Sequence, residues 1–363
     1  GTWAAGEGVL IRRPVWGGGA LQRSALCEGD RLTLGSRGPD APGLDLLALM
    51  HGSEGLLAVI VEVTVRLLAT PRFARVIVAG FDQVDAAGTA VATIVASGVV
   101  PAGLEMMDRG CIRAVNDFLD VNYPDCEALL LCELDGTEEE VDSQLGRISS
   151  LLKEAGASSL RTSGSEAERL KLWSGRKAAF PAVGRLAPDY YCMDGTIPRR
   201  HLARVLGEIQ ELSDRYGLPV VNVFHAGDGN MHPLILYDAN REGEMATAER
   251  LGGEILEACV AVGGTITGEH GVGIEKRDFV SREIEPVTLA LMRKIKQQFD
   301  PLGIATDNRY IPDVHANQLS FSGHQHQVVF VFHQQDPLGA FSGQKGFLGV
   351  FQSGKRVKQG GFV

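Results

Sequence analysis

Apolar residues recur along this chain with two different periods, and the switches between them divide it into elements. Runs rich in β-branched and aromatic residues at Asp30–Leu34, 58–68, Phe73–Phe81, 103–107 and 127–134 predict strands. Stretches at 82–97, 109–120, 138–155, 166–180, 198–216, 242–262 and 285–299 predict helices. Asp108 is placed to cap the second of these, and Thr137 with Glu140 makes a capping box at the third. Strands that alternate with helices imply a layered α/β or α+β domain. Pro71 and Arg72 mark a boundary before it.

The stretch richest in chemistry runs from 220 to 276. Val220–Phe224 and Pro233–Tyr237 flank the turn residues Gly227, Asp228, Gly229 and Asn230, which predicts a hairpin. Such a hairpin would set His225 opposite His232, with Cβ atoms about 5 Å apart, close enough to share one metal ion. Farther on, Glu269 and His270 sit among Gly263, Gly264, Gly268, Gly271 and Gly273. That density predicts a tight loop against something bulky, such as a cofactor ring. Two histidines and a carboxylate are the ligand types of a divalent transition-metal site. The plainer alternative has the histidines capping strand ends and Glu269 in a salt bridge. On the helix at 166–180, Trp173 and Arg176 share a face. Arg176 is either a solvated surface charge or a clamp for a substrate anion.

Composition narrows the field. A chain of 363 residues can hold two domains with real cores, and 22% charged with 44% hydrophobic residues is ordinary for a soluble globular protein. A net charge of -10 argues against nonspecific nucleic-acid binding, because phosphates are repelled. The cysteines, at 27, 111, 126, 132, 192 and 259, form neither CxxC pairs nor an iron–sulfur cluster motif. A reduced, cytoplasmic setting is expected. No apolar run reaches the roughly 18 residues that span a bilayer, and no signal peptide is visible. The first residue is Gly1, as in a fragment or processed product. Residues 1–29 are left unassigned; Gly17, Gly18 and Gly19 lack the strand and helix of a phosphate loop. Residues 314–363, rich in Gln and Gly, read as a disordered or loosely packed tail, with a metal at His324 and His326 as the lesser reading.

The runs HAGDGNMHP and TGEHGVGIEK resemble signature segments of the FAD-linked oxidases of the vanillyl-alcohol oxidase superfamily. The subgroup they are most similar to contains glycolate oxidase flavin subunits and D-lactate and D-2-hydroxyglutarate dehydrogenases. The resemblance implies an α+β chain in two parts. Residues 30–71 would be the C-terminal piece of a PCMH-type FAD-binding domain, most of which is missing. Residues 72–313 would be the substrate and metal domain, a ferredoxin-like antiparallel-sheet cap with a C-terminal helical segment.

It also implies FAD and a divalent metal (Zn, Mn or Fe) as cofactors. By resemblance, Gly52, Ser53, Glu54, Gly55 and Val59 would line the flavin pocket, although Leu56 and Ala58 depart from the usual Thr and Gly. His225, His232 and Glu269 would bind the metal, and His270 would be the general base. Arg176 would bind the substrate carboxylate, with Lys177 and Arg185 as further candidates. Cys192 and Leu234 stand where hydroxyglutarate-type relatives carry Lys and Asn for a second carboxylate, so a small monocarboxylate is expected. Thr306-Asp307-Asn308-Arg309 replaces the family's usual Asn-Pro-Gly-Lys return to the flavin. Departures at both ends fit a truncated or partly misread gene.

The activity implied is oxidation of glycolate or D-lactate to the 2-oxo acid. A companion flavin-domain subunit and an iron–sulfur subunit would be partners, holding the chain peripherally at the inner membrane. Two other classes stay open: a metal-dependent hydrolase, and a non-catalytic cap-domain fragment or subunit.

Overall fold

The elements form largely where the hydrophobic rhythm puts them. The computed structural model describes residues 22–27, 30–35, 43–64 and 70–303. Residues 306–309 and the tail with His324 and His326 lie outside the described residues, as does most of 1–29. In chain order the first elements are β1 (Gln22–Cys27), β2 (Asp30–Leu34), α1 (Leu46–Met50) and β3 (Val59–Thr64). Then follow β4 (Phe73–Phe81), α2 (Val84–Ala96), β5 (Gly103–Asp108), α3 (Arg109–Phe118), β6 (Ala128–Gly136), α4 (Glu138–Glu154) and β7 (Ser159–Thr162). Next come α5 (Glu166–Lys177), α6 (Ala179–Val183), β8 (Asp189–Cys192), α7 (Leu202–Tyr216), β9 (Val220–Phe224) and β10 (Pro233–Tyr237). The last helices are α8 (Glu244–Ala261), α9 (Val280–Glu283) and α10 (Pro286–Phe299). The fold is α+β.

Several caps form as the sequence predicts. Asp108 accepts from the Cys111 amide at the start of α3, and Thr137 with Glu140 closes a capping box on α4. Two predicted helices come out divided. The stretch 166–180 ends α5 at Lys177 and restarts as α6, whose first turn contains Pro181, where a missing N–H costs nothing. The stretch 198–216 opens with a 3-10 turn, Arg199–His201, before α7.

The described residues fall into two compact units. The first combines residues up to Leu68 with those from Gly271 onward. Its three-stranded antiparallel sheet has the order β2-β1-β3. β1 falls in a stretch whose own pattern predicts nothing; pairing on both sides makes it a strand. Met50, Leu57 and Ala58 form a small core, against which Leu34, Ile295 and Phe299 pack.

The second unit, Ala69–His270, is built on a seven-stranded sheet of order β7-β4-β6-β5-β9-β10-β8, antiparallel at every pairing. β4, β5, β6 and β7 lie in the 4-1-3-2 order of a ferredoxin-like sheet, with α2 and α4 as its crossovers. β8, α7, β9 and β10 repeat the first part of that plan, and β9 joins β5 edge to edge. Strand alternation gives the sheet two apolar faces. Val78, Met107, Leu131, Val223 and Leu234 pack under α3, α5 and α6, together with Ile112, Val115, Leu172 and Val183. The alternate residues, such as Ile77, Met106, Leu130 and Phe224, are equally buried on the other face, where α2, α4, α7 and α8 pack.

Candidate metal centre

The site grows out of the first of those faces, where apolar rows turn polar at one end. On β5, Met107 is opposite Val223 of β9, and continuing that register sets Glu105 opposite His225. On β10, Leu234 is opposite Cys192 of β8, so His232 comes opposite Asp194. Glu105, His225, His232, Asp194 and Cys192 therefore share one face across four neighbouring strands. Arg176 reaches it from α5 in the covering layer, buried at 9% exposure.

The hairpin pairs its strands differently from the expected direct opposition of His225 and His232. Pro233 faces Asn222, and His225 bridges Asn230. The histidines are diagonal neighbours, because the turn closes two residues tighter than a direct pairing needs. They remain on one face, with ring centroids 5.2 Å apart and planes at 85°.

Hydrogen bonds fix how each ring presents its nitrogens. His232 Nδ1 lies 3.3 Å from the Met193 carbonyl, which only accepts, so Nδ1 carries the proton and Nε2 keeps its lone pair. His225 Nδ1 donates to Glu105 Oε1 at 2.8 Å, which turns Nε2 toward Glu269. Both Nε2 atoms face Glu269 Oε1, at 3.1 Å from His232 and 3.6 Å from His225. His270 Nε2 lies 3.8 Å from the same oxygen, and its ring stacks on His232 at 5.0 Å and 9°. His270 is 44% exposed at its side chain, whereas His232 is 2% exposed.

Asp194 holds the loop that carries these groups. It is fully buried and accepts from Thr267 Oγ1 (2.7 Å) and from the amides of Gly268 (3.0 Å), Glu269 (3.2 Å) and His270 (2.9 Å). Consecutive amides around a carboxylate make an anion nest. Two of the loop glycines, Gly264 and Gly268, pack against the protein's own chain. A Cβ on Gly264 would overlap the Thr196 carbonyl, and one on Gly268 would overlap the side chains of Asn230 and Thr196.

Charge is balanced inside the cluster. Glu105 takes Nε (3.0 Å) and Nη2 (2.9 Å) of Arg176 on Oε2 while holding His225 on Oε1. Burial raises the Glu105 pKa, but His225 and Arg176 outweigh it and hold the carboxyl below its usual range. Glu269 likewise lies well below that range, burial being outweighed by His225 and His232. Burial lowers the His225 pKa, yet hydrogen bonds to Glu105 and Glu269 lift it to about 9. A cation bound at Nε2 takes the place of that proton. The donor chemistry fits a divalent ion. Atoms of Asp194, His232, Glu269 and His270 lie within 4.8 Å of one another, and those of Cys192, His232 and His270 form another such group. His225 joins through Glu269.

The remaining sequence candidates separate. Lys177 follows Arg176 but is exposed. Arg185 lies 5.6 Å over the Phe118 ring at the end of α3. Trp173 donates to Glu133 and supports α5. Neither Glu105 nor Asp194 stands out in the sequence, each being one polar position beside apolar strand residues. Their signal is a carboxylate in register with a core row.

In the other unit, the turn Gly52–Gly55 has positive φ at Gly52 (72°), Glu54 (51°) and Gly55 (77°). The Glu54 carboxylate accepts the amides of Val272 (2.8 Å) and Gly273 (3.2 Å), so it secures the protein's own loop. Ser53 Oγ is buried without a hydrogen-bond partner among the described residues, and Val59 is 51% exposed on β3. A buried hydroxyl without a partner and an exposed apolar strand residue are each what a bound planar group could satisfy or cover.

Residues 70–306 match the family "FAD linked oxidases, C-terminal domain". The chain is 55% identical over 289 residues to the glycolate oxidase subunit GlcD of Escherichia coli (strain K12), covering 79% of this chain and 58% of that relative. It is 34% identical over 291 residues to a mitochondrial D-lactate dehydrogenase (cytochrome) of Arabidopsis thaliana, covering 79% of this chain and 51% of that one. The chain thus spans less than two thirds of these relatives. A solved structure of p-cresol methylhydroxylase with substrate bound shares the fold, with TM-score 0.65 at 15% identity, covering 83% of this chain and 66% of that one.

Proposed function

Because this chain belongs to the FAD-linked oxidases, whose C-terminal domain it matches over residues 70–306, we propose that the protein oxidises a small D-2-hydroxy acid, glycolate or D-lactate, to the 2-oxo acid. The observation that carries this reading is the convergence of three imidazole Nε2 atoms on Glu269 Oε1, at 3.1, 3.6 and 3.8 Å. His225, His232 and Glu269 are the proposed metal ligands. When bound, a divalent ion supplies Lewis acidity to the substrate hydroxyl, and FAD supplies the acceptor for the α-hydrogen.

The chain's own residues do the rest. Arg176 uses Nε and Nη2 on Glu105, and its Nη1 edge is the proposed clamp for the substrate carboxylate. Glu105 ties that clamp to His225, so anion binding and ligand orientation share one carboxylate. His270, exposed beside the ligands, takes the hydroxyl proton at Nε2. Leu234, fully buried, and Cys192 offer no charge to a second carboxylate, which supports a monocarboxylate substrate.

Gly52, Ser53, Gly55 and Val59 are the proposed flavin-side contacts, supported by the orphaned Ser53 hydroxyl. Companion flavin-domain and iron–sulfur subunits are the proposed partners, supported by the Escherichia coli relative's name as a subunit. Among the described residues no helix is long and apolar enough to cross a membrane. A cytoplasmic position, peripheral at the inner membrane through those partners, is the proposed location. His270→Asn tests the assignment of roles. Turnover of the FAD-loaded protein should fall about 100-fold or more with metal content unchanged; full activity would remove His270 as the base.

A further inference from the structure

We propose that Cys192, His232 and His270 form a second, thiolate-containing metal site that takes a soft divalent ion in place of the harder ion of the carboxylate set. The β10–β8 register sets Leu234 opposite Cys192, so Cys192 and His232 are diagonal neighbours on one face. His270 stacks on His232, and donor atoms of the three residues lie within 4.8 Å of one another. Ligands around a tetrahedral ion, at about 2.3 Å for sulfur and 2.0 Å for nitrogen, stand roughly 3.5 Å apart. The closure needed is therefore about 1 Å. Cys192 is half-buried and His270 exposed, so both have room to make it.

Cys111, Cys126, Cys132 and Cys259 are free and buried, whereas Cys192 is partly exposed. Burial pushes the Cys132 thiol up to about 12 and raises Cys111 and Cys126 as well. Cys192 Sγ donates to the Met193 carbonyl at 3.4 Å, in the same segment as Asp194. The two ligand sets share His232 and differ in the atoms that complete them, and the thiolate set also engages His270, the proposed base. Asp194 and Glu269 offer oxygen, which suits Mn2+, whereas Cys192 offers sulfur, which selects Cd2+ or Zn2+. On binding, the Cys192 S–H bond breaks, its proton goes to solvent and a sulfur–metal bond forms, with no change in oxidation state. Because the His232 imidazole is shared, occupancy by one kind of ion excludes the other. On the proposed function, a soft ion held here also withholds His270 from proton transfer.

The test uses the full chain, titrated with Cd2+ alone and followed by thiolate-to-metal charge-transfer absorption, with Mn2+ affinity measured in parallel by electron paramagnetic resonance. The wild type should show the thiolate band at one equivalent of Cd2+, and prior Mn2+ should delay it. Cys192→Ser should lose the band and bind Cd2+ about tenfold or more weakly, with Mn2+ affinity retained as the sign of an intact fold. Glu269→Gln should do the reverse, weakening Mn2+ and sparing the Cd2+ band. A band that persists in Cys192→Ser, or no band in the wild type, would overturn the proposal. A wild type that gives the Cys192-dependent band yet binds no Mn2+ would support this site while removing the metal from the proposed function.

Discussion

Glu105 carries more of the site than any residue that the sequence brings forward. Its two oxygens hold a buried arginine and the Nδ1 of His225, so a neutral replacement acts on both. Glu105→Gln should lower stability by about 3 kcal/mol, because Arg176 is left buried without its counter-charge. It should also weaken divalent-metal binding about 10–100-fold through loss of the His225 orienting bond. Urea denaturation and calorimetric titration with Mn2+ measure the two effects. Asp108 makes a separate prediction. Burial lifts its pKa from 3.8 to about 6, even though it accepts hydrogen bonds from Cys111 and Asn222. The folded state therefore binds this proton more tightly than the unfolded chain. Its contribution to stability is complete below pH 3.8 and is lost as pH rises through about 6. Asp108→Asn should remove that slope between pH 4 and 6; an unchanged pH profile of urea stability would refute the burial account.

At the scale of elements, strand and helix positions were legible because periodicity and caps are local signals. The hairpin around Gly227–Asn230 is an example, and so is the capping box at Thr137. Its exact pairing was not legible, since the tightness of the turn decides whether His225 meets His232 directly or diagonally. The turn depends on Gly229, which has φ 74° and packs so that a Cβ would overlap the Ile197 carbonyl oxygen. Gly229→Ala should cost about 3 kcal/mol, from left-handed strain and steric overlap together. Thermal denaturation should report that loss, and metal binding should weaken with it because both histidines flank the turn. A variant as stable as the wild type would show that the turn has an alternative conformation. Glu105 and Asp194 escaped the sequence for a related reason. They join the site only through the strand order β5-β9-β10-β8, which no local pattern specifies.

On the scale of the whole molecule, the proposed metal and substrate residues all belong to the unit of Ala69–His270, and the proposed flavin-side turn at Gly52–Gly55 belongs to the other. The motif runs carried the family, and two of the dense glycines, Gly264 and Gly268, serve chain packing. The proposed metal side is built from four strands and one loop. The direct measurement is a visible absorption spectrum of the chain supplied with FAD and Mn2+, taken anaerobically before and after glycolate or D-lactate is added. The account predicts that the oxidised-flavin band bleaches with substrate and that His225→Ala abolishes the bleaching. A flavin band that is bound and yet unchanged by either acid would contradict it.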